Sequence, residues 1–214
     1  QFAVKDVHHF DITAGYDGYS YEYTELAGSG QNLYDPESFY ISNTIDKKTA
    51  SGMKLTYATE GFFGRVNYSY DDKYFGNVSY RRDASSRFAP ENRWGDFWAA
   101  SVAWMITRED FMKDITWINM LKLKASFGQQ GNDDILFAGG YTVGGTSKNY
   151  YPWMDQYNMT GADGVFSDGT MIAKGNRDLT WETSTSYNVG IDFALFNNRL
   201  NGSAEYFGRK SSDM

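Results

Sequence analysis

Across residues 179–207, LTWETSTSYNVGIDFALFNNRLNGSAEYF, every second position from Trp181 runs Trp181, Thr183, Thr185, Tyr187, Val189, Ile191, Phe193 and Leu195. Glu182, Ser184, Ser186, Asn188, Gly190 and Asp192 lie between them. Strict alternation is a period of two, so one face of an extended strand meets an apolar medium and the other a polar one. From Trp181 to Leu195 is roughly 46 Å at about 3.3 Å per residue. Tilted by about 40–45°, such a strand rises some 33 Å, more than an apolar band about 25 Å tall. Strands of soluble domains are typically about five or six residues long.

The period recurs. In GFFGRVNYSYDDKYFGNVSYRRD, Phe62, Val66, Tyr68 and Tyr70 oppose Arg65, Asn67 and Ser69; after a turn at 71–73, Tyr74, Val78 and Tyr80 alternate with Asn77, Ser79 and Arg81. This predicts a hairpin. DFWAASVAWMI sets Trp98, Ala100, Val102, Trp104 and Ile106 against Ala99, Ser101 and Ala103. In MLKLKASFG, Leu121, Leu123, Ala125 and Phe127 oppose Lys122 and Lys124, two lysines with no apolar neighbour on their face. HHFDITAGYD alternates Phe10, Ile12, Ala14 and Tyr16 with Asp11, Thr13, Gly15 and Asp17. About seven long strands are expected.

Their links alternate in length. Those at 71–73 and 197–198 are minimal, and the one from Thr107 to Asn119 is moderate, with Thr107 as the N-cap of a one-turn helix. Those at about 25–50, 84–95 and 129–178 are long. Short turns at one end and long loops at the other are the plan of outer-membrane barrels. Aromatic residues near both strand ends suit the two interfaces, with Trp181 and Trp98 toward the long loops and Trp104 and Phe193 toward the short turns.

Composition excludes several classes. Aromatics are 18% of residues and the formal charge is -7, with no basic cluster, which argues against nucleic-acid binding. Without cysteine there is no disulfide framework, thiolate zinc site or cysteine nucleophile. No run of about 18 apolar residues forms a helical span, whereas a half-polar transmembrane strand is compatible with a mean hydropathy of -0.57.

No catalytic motif is present: nucleophile elbow, Walker loop and HExxH are all missing, so no enzyme is expected. No metal or cofactor is expected either. His8 and His9 are strand neighbours pointing to opposite faces. Asp163 and Asp168, each before glycine, are turn formers more than calcium ligands. The carboxylate pairs Glu91 with Asp96 and Asp133 with Asp134 read as solvated loops. The sequons at Asn67, Asn77, Asn158 and Asn201 are explained mostly by strand alternation, with three on polar-facing strand positions. Arg65, Arg81, Lys122, Lys124 and Glu205 are candidates to line a wet lumen, holding wall and water by hydrogen bonds or touching substrate. In the loop YTVGGTSKNYYPWMDQY, Tyr150, Tyr151, Trp153 and Tyr157, together with Trp94, are candidates for substrate or partner contact, against packing of the loop on itself.

YSYDDKYFGNVSYRRDASSRFAPENRWGDFW (68–98), then SVAWMITREDFMK, LKLKASFGQQGNDDI and LTWETSTSYNVGIDFALFNNRLNGSAEYF, strongly resembles the β-barrel portion of SusC-like TonB-dependent outer-membrane transporters of Bacteroidetes. The likeness covers about Gly61 to Met214 and, more loosely, the first 25 residues. Ala84 and Asp110 depart from the family's usual glycine and proline. The resemblance implies an all-β, antiparallel up-and-down transmembrane barrel of 22 strands around a plug, with a TonB box and a SusD-like surface lipoprotein as lid. Residues 1–214 would supply about seven of those strands, not closed by themselves, because an open edge in lipid leaves costly unpaired backbone groups. No plug or TonB-box segment is recognisable, so the chain is expected to be a fragment, with TonB engaged by the missing N-terminal part.

The expected function is the wall and extracellular loops of an importer of bulky nutrients, glycans or oligopeptides, in the Gram-negative outer membrane. The alternatives are a passive porin, separable by whether a plug is present, and a soluble carbohydrate-binding β-sandwich, which would express without detergent. The sandwich should have polar outward faces, whereas those proposed here carry Tyr, Trp, Val, Ile and Leu.

Overall fold

A computed structural model describes residues 2–4, 7–134, 141–143, 146–158, 161–162, 165–166 and 169–212. Asp163 and Asp168 lie outside the described residues. The long strands are β2 (His8–Leu33), β3 (Thr44–Tyr70), β4 (Tyr74–Ser85), β5 (Trp94–Met105) and β6 (Ile118–Asn132), preceded by a short β1 (Phe2–Val4). Six short strands follow: β7 (Tyr141–Val143), β8 (Thr146–Lys148), β9 (Gln156–Asn158), β10 (Gly161–Ala162), β11 (Val165–Phe166) and β12 (Thr170–Ala173). β13 (Glu182–Leu195) and β14 (Leu200–Ser212) complete the chain.

One sheet runs β1-β2-β3-β4-β5-β6-β13-β14, while β7–β12 form three separate two-stranded ribbons. The seven long strands thus stand in chain order, up and down. β1 and β14 are its edges. By compactness the chain divides into two units: residues 1–18 with 59–214, and Tyr19–Ala58.

Within the first unit the register continues from strand to strand. Tyr68, Gly76, Val102, Ala125, Val189 and Tyr206 form one row across β3, β4, β5, β6, β13 and β14. The neighbouring row is Tyr70, Tyr74, Trp104, Leu123, Ile191 and Ala204. Val78, Val102, Val189 and Tyr206 are exposed on this face, with no layer of the described chain over them. A β-sandwich would cover such a face with a second sheet.

Aromatic rings fill the gaps that glycine leaves on the apolar face. A Cβ on Gly208 would lie 2.4 Å from the ring of its cross-strand partner Tyr187, and one on Gly202 would lie 2.6 Å from Phe193. At the short-turn end, the Glu109 carboxylate accepts from the Tyr74 hydroxyl at 2.6 Å and the Trp104 indole at 3.0 Å. These two donors, Tyr74 first, hold Glu109 below the usual glutamate range. Tyr74 and Trp104 stack 6.4 Å apart. Asp71 and Asp72, with φ of 48° and 50°, make the left-handed turn that a tight hairpin needs.

The structure corrects four expectations. The link placed at about 25–50 is only residues 34–43, because β2 continues to Leu33 and β3 begins at Thr44. A two-stranded ribbon wet on both faces has no apolar side, so its sequence loses the period that betrays a strand. Second, Thr107 caps nothing: the short helix Ile106–Arg108 follows Met105 without a side-chain cap, and the Thr107 hydroxyl accepts from the Leu121 N–H at 3.4 Å. Third, Lys122 has an apolar neighbour, its Nζ lying 5.7 Å from the Phe75 ring centre. Fourth, Trp181 precedes β13 and turns away from the apolar face. It packs 5.4 Å from both Phe88 and Phe97 and donates to the Arg93 carbonyl at 2.9 Å, which satisfies the half-buried indole N–H.

If hydrocarbon covers the apolar face, Val102→Arg, at a valine 62% exposed, is expected to destabilise the bilayer-reconstituted protein by about 2–4 kcal/mol. Heat-shift gel mobility of the folded form reads this. An unchanged unfolding temperature would mean that water meets this face.

Candidate functional site

The opposite face of the same strands is polar. Asn67, Asn77, Ser101, Ser126 and Asn188 form one row, which ends on β14 at the exposed Phe207, and Arg65, Ser79, Ala99, Gly128, Ser186 and Arg209 form another. Most of these side chains are small because each strand contributes every second residue to a face that also carries long charged groups. Asn77 donates to the Asn67 carbonyl oxygen, and Asn67 donates to Asp11 at 3.4 Å. His8 and His9 separate as strand neighbours must: His8 Nδ1 lies 2.8 Å from the Tyr68 hydroxyl on the apolar side, and His9 faces the polar groove.

Lys124 sits between two carboxylates, with Asp192 at 2.8 Å and Glu205 on its other side. Glu205 also accepts from Asn188 at 3.0 Å. Arg81 pairs with Asp83 at 2.7 Å and Asp17 at 2.8 Å. A Cβ on Gly61 would lie 2.1 Å from Asp83 and 2.7 Å from Asp17, so only glycine leaves room for that cluster. Arg65 is exposed and makes no ion pair among the described residues. The five charged candidates, Arg65, Arg81, Lys122, Lys124 and Glu205, therefore share one face, but the register brings only Lys124 and Glu205 into contact. Asn67, Asn77, Ser101, Lys124, Asn188 and Glu205 line a groove of about 970 Å³.

The long connections build a second feature. Phe88, 1% exposed, Phe97 and Trp181 form its apolar centre. Gly95 and Gly131 admit the Phe97 ring where a Cβ would lie 2.7 and 2.1 Å from it. Around this centre Arg87 donates to Asp134 at 2.8 Å and to the Asp133 carbonyl at 2.9 Å, while Ser85 donates to Asp133 at 2.7 Å. Arg177 grips Glu91 with two donors at 3.0 Å, and Asn92 donates to the Arg177 carbonyl. Asp133, Asp134 and Glu91 are thus counter-charges of Arg87 and Arg177; Asp133 is largely covered, while Asp134 and Glu91 remain about half exposed, as loop carboxylates. Asp96 accepts from the Tyr80 hydroxyl.

The aromatic candidates divide. Tyr150 is 6% exposed and lies under the Arg87 guanidinium, 5.9 Å from ring centre to Cζ, so its side chain is spent on packing. Trp153 is half-buried with Arg177 5.5 Å from its ring. The Tyr151 N–H donates to Asn149. Tyr157 stays exposed. Trp94 is not a loop residue: it belongs to β5, stacks 6.2 Å from Phe62 on the apolar face and lies under Arg82. Arg87, Phe88 and Arg177 carry no sequence signal of this role, and the alternation that includes Trp181 points to a different one; RFAPENRW has no period, and its partners lie some 46 to 88 residues away.

Phe88→Ala removes the most deeply buried ring of the loop centre and is expected to lower the local opening free energy by about 3–5 kcal/mol. Limited proteolysis of residues 149–181 would read this as faster cleavage; equal cleavage rates would mean that Phe88 does not hold the connections. Glu91 is held below its ordinary value of 4.5, first by a backbone N–H and then by Arg177. Its contribution is therefore fully present above that ordinary value and is lost as pH falls through the depressed one. Intrinsic-rate-corrected amide exchange at residues 174–181 is expected to be constant from neutral pH to about pH 5 and to accelerate only on stronger acidification. Acceleration already near neutrality would remove Glu91 as the cause.

The geometry has known counterparts. The family model described as TonB dependent receptor-like, beta-barrel, matches residues 2–214. The chain is 31% identical to a TonB-dependent receptor of Formosa agariphila over 91% of its own length and 17% of that protein's. It is 32% identical to the TonB-dependent receptor SusC of Bacteroides thetaiotaomicron over 87% of its length and 18% of SusC. Among solved structures, one titled as the RagAB peptide transporter superposes with a TM-score of 0.83 at 25% identity, covering all of this chain and 22% of that one. The chain thus spans about a fifth of the length of the proteins it matches. With the model aligned over nearly every residue, the chain belongs to the TonB-dependent receptor-like β-barrel family.

Proposed function

We propose that these strands form part of the wall, and their long connections part of the outer surface, of a TonB-dependent importer in the outer membrane of a Bacteroidetes bacterium. One observation carries this: the same seven strands present uncovered Val, Tyr and Trp on one face and a hydrogen-bonded polar groove on the other. Lipid on one side and a wet lumen on the other is the environment that such strands require.

The cargo is a bulky nutrient, a glycan or an oligopeptide. Likeness to a structure titled as a peptide transporter supports the second, and likeness to SusC supports a partnership with a SusD-like lipoprotein. The proteins matched are receptors and transporters, so translocation without covalent chemistry is the role proposed. TonB would be engaged outside residues 1–214. Lys124 is held between Asp192 and Glu205, so its charge is engaged inside the wall and not offered singly to cargo.

Uptake by cells carrying the full-length receptor separates the importer from a passive porin. Growth on the cognate glycan or peptide is expected to need the receptor and to stop when TonB is deleted or the proton-motive force is collapsed. Uptake that survives both treatments would make the barrel a passive pore.

A further inference from the structure

Charged groups enter the apolar face near its long-loop end. Arg82 stands cross-strand from Phe62 on β3 and from Asp96 on β5, and the next row outward holds Glu60, Ala84 and Trp94. The Arg82 guanidinium lies over the Trp94 ring, 5.3 Å from ring centre to Cζ, so its side chain leans outward across the row above its own. From Tyr74 to Arg82 is roughly 26 Å of strand at about 3.3 Å per residue, a rise of about 19 Å at a tilt of about 40–45°. An apolar band is about 25 Å tall. With Tyr74 and Trp104 at the short-turn boundary, the Arg82 backbone lies just inside the opposite boundary, and the outward lean carries its guanidinium to the headgroups.

The chain meets these charges only in part. The closest approach of Arg82 to a carboxylate is Nε to Asp96 Oδ1 at 3.8 Å, too long for a hydrogen bond, and that same oxygen accepts from the Tyr80 hydroxyl. The two side chains are 51% and 53% exposed. Glu60, exposed in the outward row, accepts from the Tyr16 hydroxyl at a long 3.4 Å. Their remaining hydrogen-bonding capacity is left to the surrounding medium, which at this height is lipid headgroup. A purely anionic headgroup would meet one guanidinium and two carboxylates, and would be repelled as much as attracted. A phosphate that carries a primary ammonium meets both signs, its oxygens on Arg82 and its N–H donors on Asp96. A quaternary ammonium has no N–H to donate. Toward the bilayer centre, Val78 and Val102 are uncovered and can receive acyl chains.

We infer that Arg82 and Asp96 form a binding site for the headgroup of a phosphatidylethanolamine-type lipid, the guanidinium taking the phosphate and the carboxylate the primary ammonium. The site rests on the importer function proposed above, in which hydrocarbon covers the apolar face. Trp94 holds the guanidinium from below by cation–π contact, and Phe62 stacks behind Trp94 at 6.2 Å.

The test is native mass spectrometry of the full-length receptor, titrated in detergent with phosphatidylethanolamine, phosphatidylglycerol or phosphatidylcholine of the same acyl chains. The ethanolamine lipid is expected to bind tightest, and Arg82→Ser to weaken it about tenfold. Asp96→Asn is expected to weaken the ethanolamine lipid and to strengthen the glycerol lipid, a change of preference that a purely structural pair would not produce. Heat-shift gel mobility checks that both variants fold. Equal affinity for the three lipids, or ethanolamine-lipid binding unchanged by Arg82→Ser, overturns the site while the importer function stands. A wild-type preference for the glycerol lipid also overturns it, since Arg82 would then be a plain anion site. A receptor that stays dispersed without detergent and takes up none of the lipids overturns both.

Discussion

Backbone pairing along the seven long strands is the constraint on which everything else rests. Ladders join β3 to β4 from Thr59, β4 to β5, β5 to β6 from Ala99, β6 to β13 and β13 to β14, and within these doubly paired spans the N–H and C=O groups are met by neighbouring backbone. That ladder fixes register, and a slip of one residue would exchange the faces of a strand. The uninterrupted row from Tyr68 through Val102 to Tyr206 shows that six strands keep the same sense. Once register is fixed, the apolar and polar faces follow without any further packing requirement.

The two faces are stabilised by different physics. On the apolar side, contacts are ring against ring and ring over glycine, as with Tyr187 above Gly208, and area burial is left to the surrounding medium. On the polar side, long charged groups find partners across strands instead of water alone. Lys124 between Asp192 and Glu205 and Arg81 between Asp17 and Asp83 are two such triads, each joining residues distant in sequence. A polar face satisfied in this way keeps its form without help from a ligand.

The long connections obey the rules of a small water-soluble core. Phe88, Phe97 and Trp181 exclude water, glycines 95 and 131 make space for a ring, and Arg87 and Arg177 close the periphery on carboxylates. Residues 86–93 are thereby tied to Asp133 and Asp134 and to Arg177 and Trp181. This explains why Tyr150, an aromatic on a long glycine-bearing loop, packs inside instead of facing outward.

The sequence by itself determined the long strands of the first unit, their alternation and the faces of Val66, Val78, Val102 and Val189, because a period of two is a local property written in neighbouring residues; the short ribbons of the 129–178 connection left no such trace. It also carried the motifs from which the family could be recognised. Only the tertiary structure decided that Trp181 joins the loop core, that Asp133 and Glu91 are counter-ions, and that Trp94 lies on the apolar face. Those outcomes depend on which strand ends stand side by side. The extension of β2 and β3 through residues 25–50 was hidden for a related reason: a ribbon wet on both sides leaves no periodic trace, and only the pairing of its backbones reveals it.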